Sequence, residues 1–504
     1  MPFDSLRSLR AGARCSLLDV MQIAIPAFLL LFFTYTIADA DLWGHLRFGA
    51  DLLNGHGFTL KDPYSFTSDT PWINHEWLAE VCVAAFYAIG GAIGLNLLKL
   101  IVIGAIGAIV WRTGRESNGS RFALVWLTSM IVFASYTRTQ VLRPQLFSVL
   151  LFTILMVVLR RREENRPGSF LTLPILFCIW TNTHGGWIVG FGTVGIWAAT
   201  MVLEQRTLGC LRRRTIEVVS SLAATLINPY GIGMWTFLHD TVALDRDISD
   251  WTPFLKFPAA LIVIELLLPA VAVLALWRRR RIPPARHLAI IAILAFGMFR
   301  VGRVDAFLQV AIGMLLSPDL IALFHELETW LRSHHRVTNR APVHACAAAV
   351  LVSYAVIASG AHVRTIRIDG TWIPDADAMH FLKTDAAHAR VLTWFDWGEY
   401  AIWHLSPGGT QVSMDGRRET VYSARVLQEH WAFYKNEKDG ASYPETIGAE
   451  RIWLPKTFAI VPVLKERGWH VAFESNISVV LSPNPSKSIV APQVARGTRV
   501  FPGP

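Results

Sequence analysis

Long apolar runs separated by short polar turns occupy the first 362 residues of the chain. Runs that are apolar on all sides are typical of helices that cross a lipid bilayer, which takes roughly 20 residues each. Counting them predicts an α-helical polytopic membrane domain of about eleven spans. The run at residues 77–89 is shorter and is followed by Gly90, Gly91 and Gly94. It is expected to be an interfacial or half-inserted helix, and whether it spans stays open.

The pattern changes at about residue 363, where a polar region of mixed pattern begins. Strands are predicted at residues 390–395, 411–414, 469–473 and 477–481, and a helix at residues 458–468. This combination predicts a small soluble α/β domain over residues 363–482. The remaining segment, 483–504, is rich in Pro and Ser and is expected to be disordered.

Arginine clusters flank alternate apolar runs: residues 7–14 precede the first run, and residues 160–162, 212–214 and 278–281 follow later ones. Positive charge favours the cytoplasmic side of short loops, so these clusters predict that the N-terminus and these turns face the cytoplasm. With this assignment, the acidic loop (residues 39–77) and the C-terminal domain lie outside the cytoplasm. Most of the unusual polar residues of the membrane domain fall on that same outer face.

Composition supports the membrane assignment and excludes several other classes. The chain of 504 residues is 53% hydrophobic and only 17% charged, with a mean hydropathy of +0.38, which is atypical of a soluble protein. The net charge of +9 comes from basic residues at the ends of apolar runs, so no nucleic-acid partner is expected. The five cysteines form no CxxC pair, and neither a P-loop nor a GxSxG motif occurs.

The acidic loop carries the most concentrated candidate chemistry. Asp39 and Asp41 follow the first apolar run, and His45 lies one helical turn beyond Asp41. A carboxylate there could act as a general base or hold a divalent metal ion, so these three are the candidate catalytic residues. His75 and Glu76 close the loop as candidate substrate contacts. The alternative is a solvated loop anchored by interfacial tryptophans, in which Asp39 or Asp41 only caps a helix.

Arginine on the outer face opposes the usual topological bias and needs another explanation. Arg138 and Arg143 follow one apolar run, and Arg300 and Arg303 follow another. Because guanidinium groups bind phosphate in bidentate fashion, all four are candidate phosphate ligands. The alternatives are a pair that snorkels to the headgroups and a structural ion pair with Asp305.

Other polar residues follow outward runs. Asn182 and His184 are candidate substrate contacts, with a helix cap and a tight turn as the structural alternatives. Asp250 and Trp251 are weaker candidates that could cover a pocket. In the C-terminal domain, the segment 415–418 could be a ligand loop, but the pattern favours a solvated turn.

Several motifs together indicate a family. They are DLWGHLRFG, DPYSFTSDTPWINHEWLAEV, LRPQLF, NTHGGW, NPYG and SDW, with WFDWGEYAIWHL and SMDGRRETVY in the C-terminal domain. The layout and the acidic loop resemble the GT-C glycosyltransferases, polytopic enzymes that take sugars from polyprenyl-phosphate donors. More closely, the motifs resemble a bacterial group of membrane proteins, which implies a multi-pass protein of the bacterial inner membrane. In the wider family an acidic residue after the first span is catalytic or binds a metal, and Asp41 occupies that position. The usual second acid of an Asp-Glu pair is Leu42 here, which bears on metal binding.

Two hypotheses follow. The first is a membrane glycosyltransferase that transfers a sugar from a polyprenyl-phosphate-linked donor to a glycan, lipid or protein acceptor outside the cytoplasm, in contact with membrane lipids and with a divalent metal ion at Asp41. The second is a non-enzymatic membrane protein, either a transporter or a glycan- or lipid-binding assembly factor. A transporter is expected to show polar residues at mid-membrane and repeated halves, and this chain shows neither apart from Glu265.

Overall fold

The computed structural model describes residues 17–135, 141–166, 168–243, 253–334, 341–370, 372–437, 440–485, 489–490 and 500–503. The membrane domain is helical in these residues. Its helices are α1 (Leu17–Thr34), α2 (Leu42–Leu53), α3 (Trp77–Glu116), α4 (Arg121–Ala134), α5 (Gln145–Glu163), α6 (Thr172–Thr181), α7 (Trp187–Gln205), α8 (Leu208–Ala224), α9 (Gly233–Ala243), α10 (Ala259–Arg279), α11 (Ala285–Arg300), α12 (Asp305–Leu315), α13 (Ser317–His334) and α14 (Ala341–His362).

Within the described residues, four helices are long and apolar enough to cross a membrane, namely α3, α7, α10 and α14. A fifth span arises if α12 and α13, which are bent by 71° at their junction, are counted as one. The sequence-based count of about eleven spans is therefore not supported. Several apolar runs instead form helices of 10–17 residues, shorter than the roughly 20 residues that a straight span requires. The chain is nevertheless a multi-pass membrane protein.

The expected break after residue 89 is present inside α3. Gly91 has φ 55° and ψ −135°, a left-handed conformation that interrupts the helix and that residues with a Cβ rarely adopt. Three residues later the chain passes so close to itself that a Cβ on Gly94 would lie on the carbonyl oxygen of Phe86. These glycines let the first part of α3 lie at an angle to the apolar second part.

The C-terminal domain is a mixed sheet with helices, as the sequence predicts. Its strands are β1 (Arg390–Thr393), β2 (Gln411–Val412), β3 (Arg451–Pro455), β4 (His470–Glu474), β5 (Ser478–Ser482) and β6 (Ile489–Val490), in the order β2-β1-β3-β5-β4-β6. β1 is parallel to β2 and β3, and β5 is antiparallel to β3 and β4. The helices are α15 (Ala376–Asp385), α16 (Gly398–Leu405), α17 (Ala424–Tyr434), α18 (Tyr443–Thr446) and α19 (Ile460–Glu466). The central strand β3 has no counterpart in the sequence-based prediction.

The acidic loop packs directly on this domain. Ser65 extends the sheet beyond β2 through a parallel bridge to Val412, whose N–H donates to the carbonyl of Tyr64 at 2.9 Å. Trp43 of α2 contacts Tyr400 of α16 with ring centroids 5.3 Å apart. The loop and the domain are thus joined by both backbone and core contacts.

The last described residues also pack on α2. Phe501 is buried, and the indole N–H of Trp43 donates to the carbonyl of Pro502 at 2.7 Å. Residues 500–503 are therefore fixed in position, whereas the sequence, rich in Pro and Ser, predicted a disordered segment. The apolar ring of Phe501 supplies the buried contact that fixes the segment.

Glu265 has a neighbour that the sequence alone could not assign. The Gln309 side chain on α12 donates to a carboxylate oxygen of Glu265 on α10 at 2.7 Å. Both side chains are fully buried. This polar pair between packed helices gives Glu265 a structural role, as expected for a buried polar group in a membrane domain.

Candidate active site

A cavity of about 380 Å³ lies between the acidic loop, several helix ends of the membrane domain and the C-terminal domain. Seven of the residues predicted from the sequence line it: Asp41, His45, His75, Glu76, Arg143, His184 and Arg303. Glu80 and Glu399, which were not predicted, complete the lining together with Gly416, Arg417 and Arg418 of the possible ligand loop. The cavity therefore gathers ionisable groups from distant parts of the chain.

The start of α2 orients Asp41 toward the cavity. The Asp39 carboxylate accepts the Asp41 backbone N–H at 3.0 Å, so Asp39 forms the turn that precedes the helix. Within the described part of the chain, the Asp41 side chain makes no capping hydrogen bond to α2. It lies instead 3.1 Å from Nη2 of Arg143, which is also 2.5 Å from Asp39. The structure therefore does not show the capping alternative for Asp41, and Asp39 stabilises the turn before the helix.

Glu399 brings a second carboxyl group to Asp41 from the C-terminal domain. A Cβ placed on Gly416 would lie 2.5 Å from Oδ1 of Asp41 and 2.7 Å from Oε1 of Glu399. The Asp41 and Glu399 oxygens are therefore separated by no more than these two distances added together. A side chain at position 416 would collide with both oxygens, which explains the glycine there. The Gly44 N–H donates to the other oxygen of Glu399 at 3.2 Å. Burial, with Asp41 nearby, raises the pKa of Glu399 well above its usual range, which favours the protonated form of this carboxyl.

A buried cluster of one histidine and two glutamates adjoins Asp41. Ligand atoms of His45, Glu76 and Glu80 all lie within 4.8 Å of one another. Imidazole nitrogen and carboxylate oxygens suit a divalent cation. The amide of Asn74 donates to Glu80 at 2.6 Å and fixes that carboxylate from behind, as second-shell groups do at metal sites. These residues fit a metal ion, whereas Asp41, the ligand predicted from the sequence, is not one of the three.

His45 is held close to its acidic neighbours. Its Nδ1 lies 3.2 Å from Oε1 of Glu80. Burial lowers the pKa of His45, but the hydrogen bond with Glu80 and the carboxylates around the cavity outweigh it and raise the pKa to about 9. Without a metal ion, His45 is therefore a cation that offsets the charge of the two glutamates.

His184 has a defined tautomer. Its Nδ1 accepts the N–H of Gly186 at 2.9 Å and lies 2.7 Å from the Ser148 hydroxyl. That hydroxyl accepts the indole N–H of Trp180 at 2.7 Å and so donates to His184. Burial lowers the pKa of His184 to about 4, which keeps the ring neutral with its proton on Nε2. Nε2 lies 3.6 Å from Oε1 of Glu76 and faces the cavity.

The loop of residues 415–418 is not the solvated turn favoured by the sequence. The guanidinium of Arg417 forms two hydrogen bonds with Asp62, at 2.9 and 2.8 Å, and two with Asp415, at 2.8 Å each. It also stacks on the rings of Phe48 and Trp72, 4.8 and 4.9 Å from their centroids. Asp62, Phe48 and Trp72 come from the acidic loop, which explains why a local pattern of charged residues indicated solvent.

Arg418 follows Arg417 and points to a different environment. It lines the cavity, and its φ of 43° lies in the left-handed region that costs a residue with a side chain about 1–2 kcal/mol. Its guanidinium lies 5.5 Å from the centroid of Phe395. Residues held in such conformations cluster at functional sites, which makes Arg418 a further candidate.

Three predicted residues do not line the cavity, and one of them, Asp39, reaches it only through its ion pair with the lining residue Arg143. The Asn182 side chain accepts the indole N–H of Trp77 at 2.8 Å and donates to the carbonyls of Cys178 and Ile227, so it has the structural role that was its alternative. Arg300 is exposed at the end of α11 and does not line the cavity. Arg138, Asp250 and Trp251 lie outside the described residues.

Comparisons with known proteins agree on the fold. No protein-family model matches the chain, and no functionally curated protein matches it in sequence. Among solved structures, the Archaeoglobus fulgidus oligosaccharyltransferase tethered to an acceptor peptide with the NVT sequon is similar over 88% of this chain and 69% of its own, at 12% identity and a TM-score of 0.54. The enzyme AglB from the same organism, in complex with an inhibitory peptide and a dolichol-phosphate, gives 86% and 69% coverage, 11% identity and a TM-score of 0.54.

A third similar structure comes from Mycobacteria. The arabinofuranosyltransferase AftD matches 93% of this chain at 14% identity and a TM-score of 0.50, and this chain spans only 41% of AftD. At these identities the similarity defines the architecture and not the activity. The chain has the GT-C-type fold of these glycosyltransferases.

Proposed function

We propose that this chain is a membrane glycosyltransferase that transfers a sugar from a polyprenyl-phosphate-linked donor to an acceptor outside the cytoplasm. One observation carries the proposal: Asp41, Glu399 and a cluster suited to a metal ion line one cavity, together with Arg143, Arg303 and Arg418. Those are the groups that sugar transfer from a lipid phosphate requires. The GT-C-type fold supports the proposal independently.

Asp41 is the proposed general base. The acceptor hydroxyl oxygen bonds to the anomeric carbon of the sugar, and its proton passes to the Asp41 carboxylate. The bond between that carbon and the phosphate oxygen breaks, and the polyprenyl phosphate leaves with the electron pair. The raised pKa of Glu399 favours its protonated form beside Asp41, which limits the negative charge next to the base.

Arg143, Arg303 and Arg418 are the proposed ligands of the donor phosphate. All three line the cavity, and guanidinium groups bind phosphate oxygens in bidentate fashion. Arg143 contacts Asp39 and Asp41 in the structure. It therefore links the phosphate site to the base, and it offsets the charge that develops on the leaving group.

His45, Glu76 and Glu80 are the proposed ligands of a divalent metal ion. When bound, such an ion would stabilise negative charge on the phosphate. The same three side chains determine how much negative charge faces the donor. His184, whose neutral ring places Nε2 3.6 Å from Oε1 of Glu76, lies at the edge of this cluster and helps to orient it.

The proposed orientation places the acidic loop and the C-terminal domain outside the cytoplasm of a bacterial inner membrane. It rests on the arginine clusters. Lys61 and Glu466 are exposed positions in the two regions. After removal of the five native cysteines, Lys61→Cys and Glu466→Cys should react with an impermeant thiol reagent in cells whose outer membrane is permeabilised. Protection of both positions until the cells are lysed would reverse the orientation.

Lipid analysis of a deletion strain tests the proposal as a whole. Cells that lack the chain should accumulate a polyprenyl-phosphate-linked sugar, and a plasmid copy should restore the normal level. A copy with Asp41→Asn should not restore it at equal expression. An unchanged lipid profile in the deletion strain would favour the transporter or assembly-factor hypothesis instead.

A further inference from the structure

A second cavity, of about 350 Å³, lies at the other ends of two helices that reach the candidate active site. α3 and α5 line the active-site cavity with Glu80 and Gln145 near their N-termini. They line the second cavity with Arg112 and Arg160 near their C-termini. Residues 145 to 160 of a helix cover about 23 Å. The two cavities are thus separated by most of the thickness of a hydrocarbon core, roughly 30 Å.

The second cavity has a basic part and an apolar part. Its lining contains five arginines and one glutamate, which are Arg112, Arg160, Arg161, Arg162, Arg166 and Glu116. The apolar part is formed by Ile109, Ile154 and Val157, which are only half buried and so continue toward the lipid. A cavity with this division matches a molecule that has an anionic head and an apolar chain.

Three of the arginines are fixed by contacts within the protein. Arg160 donates to Glu164 at 2.9 Å, and Arg166 pairs with Glu164 at 2.7 Å and with Glu116 at 2.9 Å. Arg162 is buried and donates to a backbone carbonyl at 2.7 Å. These three side chains form the wall of the cavity. The glutamates and the carbonyl that they contact largely compensate their positive charges.

The other two arginines differ from these three. The Arg112 side chain is 77% exposed, and its nearest acidic partner is Glu116 at 4.0 Å. Arg161 is exposed and has no ion pair among the residues that the structure describes. Two guanidinium groups on neighbouring helices are therefore available to the same external anion.

We propose that this cavity binds one anionic glycerophospholipid, with its phosphate between Arg112 and Arg161 and an acyl chain along Ile109, Ile154 and Val157. Arginine binds phosphate in bidentate fashion, and basic pockets between membrane helices bind anionic headgroups. A topological role of the arginines alone would predict no preference between lipids. Free phosphate offers the same head chemistry without the chain.

Lipid binding by the purified full-length chain tests this proposal. Phosphatidylglycerol is added to protein in a neutral detergent, with phosphatidylcholine and inorganic phosphate in parallel. Native mass spectrometry should show one retained phosphatidylglycerol, and the thermal unfolding midpoint should rise with that lipid only. The double variant Arg112→Ala/Arg161→Ala should bind it about 30-fold more weakly. The matched control, Arg206→Ala/Arg212→Ala, removes two basic residues outside this cavity and should bind normally.

Each other outcome contradicts the proposal. An equal effect of phosphatidylcholine would leave only a topological role for these arginines, and an equal effect of inorganic phosphate would exclude the acyl-chain contact. If the double variant fails to fold, Arg161→Gln replaces it, because Arg161 makes no ion pair in the described structure that its loss would break. Unchanged binding in that variant would exclude the site, whatever the outcome for glycosyl transfer.

Discussion

The two halves of the candidate active site are built in different ways. The membrane half consists of the acidic loop and nearby helix ends, and His45 and Glu80 in it are only 35 residues apart. The C-terminal half, with Glu399 and the loop of residues 415–418, reaches the same cavity across a sequence separation of 355 residues. The membrane half carries the proposed base and metal ligands. The C-terminal half supplies a second carboxyl group, closes the cavity and holds the acidic loop in place, so neither half is a complete site alone.

The largest expected effect comes from separating the two halves at Arg417. Arg417→Ala leaves Asp62 and Asp415 buried without their cation, which costs about 3–5 kcal/mol. Thermal unfolding in detergent should show a markedly lower midpoint than for the parent chain. Arg467→Ala is the matched control, because its side chain is 43% exposed in a surface pair with Glu445 inside the C-terminal domain and contributes about 0–1 kcal/mol. Equal midpoints for the two variants would show that the halves do not depend on this ion pair.

The metal cluster of the membrane half gives the next prediction. Glu80→Gln keeps the size of the side chain and removes a charged ligand, so Mn²⁺ affinity should fall at least tenfold. Calorimetry on the purified chain measures this without any substrate. Asp41→Asn should largely retain Mn²⁺ affinity, because Asp41 is not one of the three clustered residues. A larger loss of Mn²⁺ affinity in Asp41→Asn than in Glu80→Gln would assign the metal to Asp41, as the sequence suggested.

A smaller effect is expected at Arg143, which contacts both carboxylates that precede α2. Arg143→Lys keeps the charge but loses the planar fork, so donor binding should weaken about tenfold. Equilibrium binding of a polyprenyl-phosphate sugar in nanodiscs measures the change. Arg300→Lys is the control, since Arg300 is exposed and outside the cavity. Equal affinities in both variants would exclude Arg143 as a phosphate ligand.

The difference between the halves also explains what the sequence could reveal. Acids and histidines next to an apolar run are conspicuous, so Asp41, His45 and Glu76 were predicted, and all three line the cavity. Glu80 was missed because it stands in the apolar start of α3, where one charged residue is not unusual. Arg417 was assigned to solvent because its partner Asp62 lies 355 residues away.

The fold was predictable to a similar extent. Local patterns gave the membrane domain, four of the strands and the break near Gly91. They did not give β3, whose burial depends on neighbouring strands, or the order at Phe501, which depends on contact with α2. Hydropathy also overcounted spans, because helices of 10–17 residues are as apolar as longer ones.

Turnover of Asp41→Asn tests the central claim most directly. The substitution keeps the shape of the side chain and removes the proposed base, so sugar transfer at equal folded protein should fall about a hundredfold or more. Stability should change little, because Asp41 makes no capping hydrogen bond to α2 in the described structure and Arg143 keeps its ion pair with Asp39. Asp39→Asn is the matched control, and it should lose less because its remaining side-chain oxygen can still accept the Asp41 N–H. Full turnover in Asp41→Asn would contradict the account and remove this residue from the mechanism.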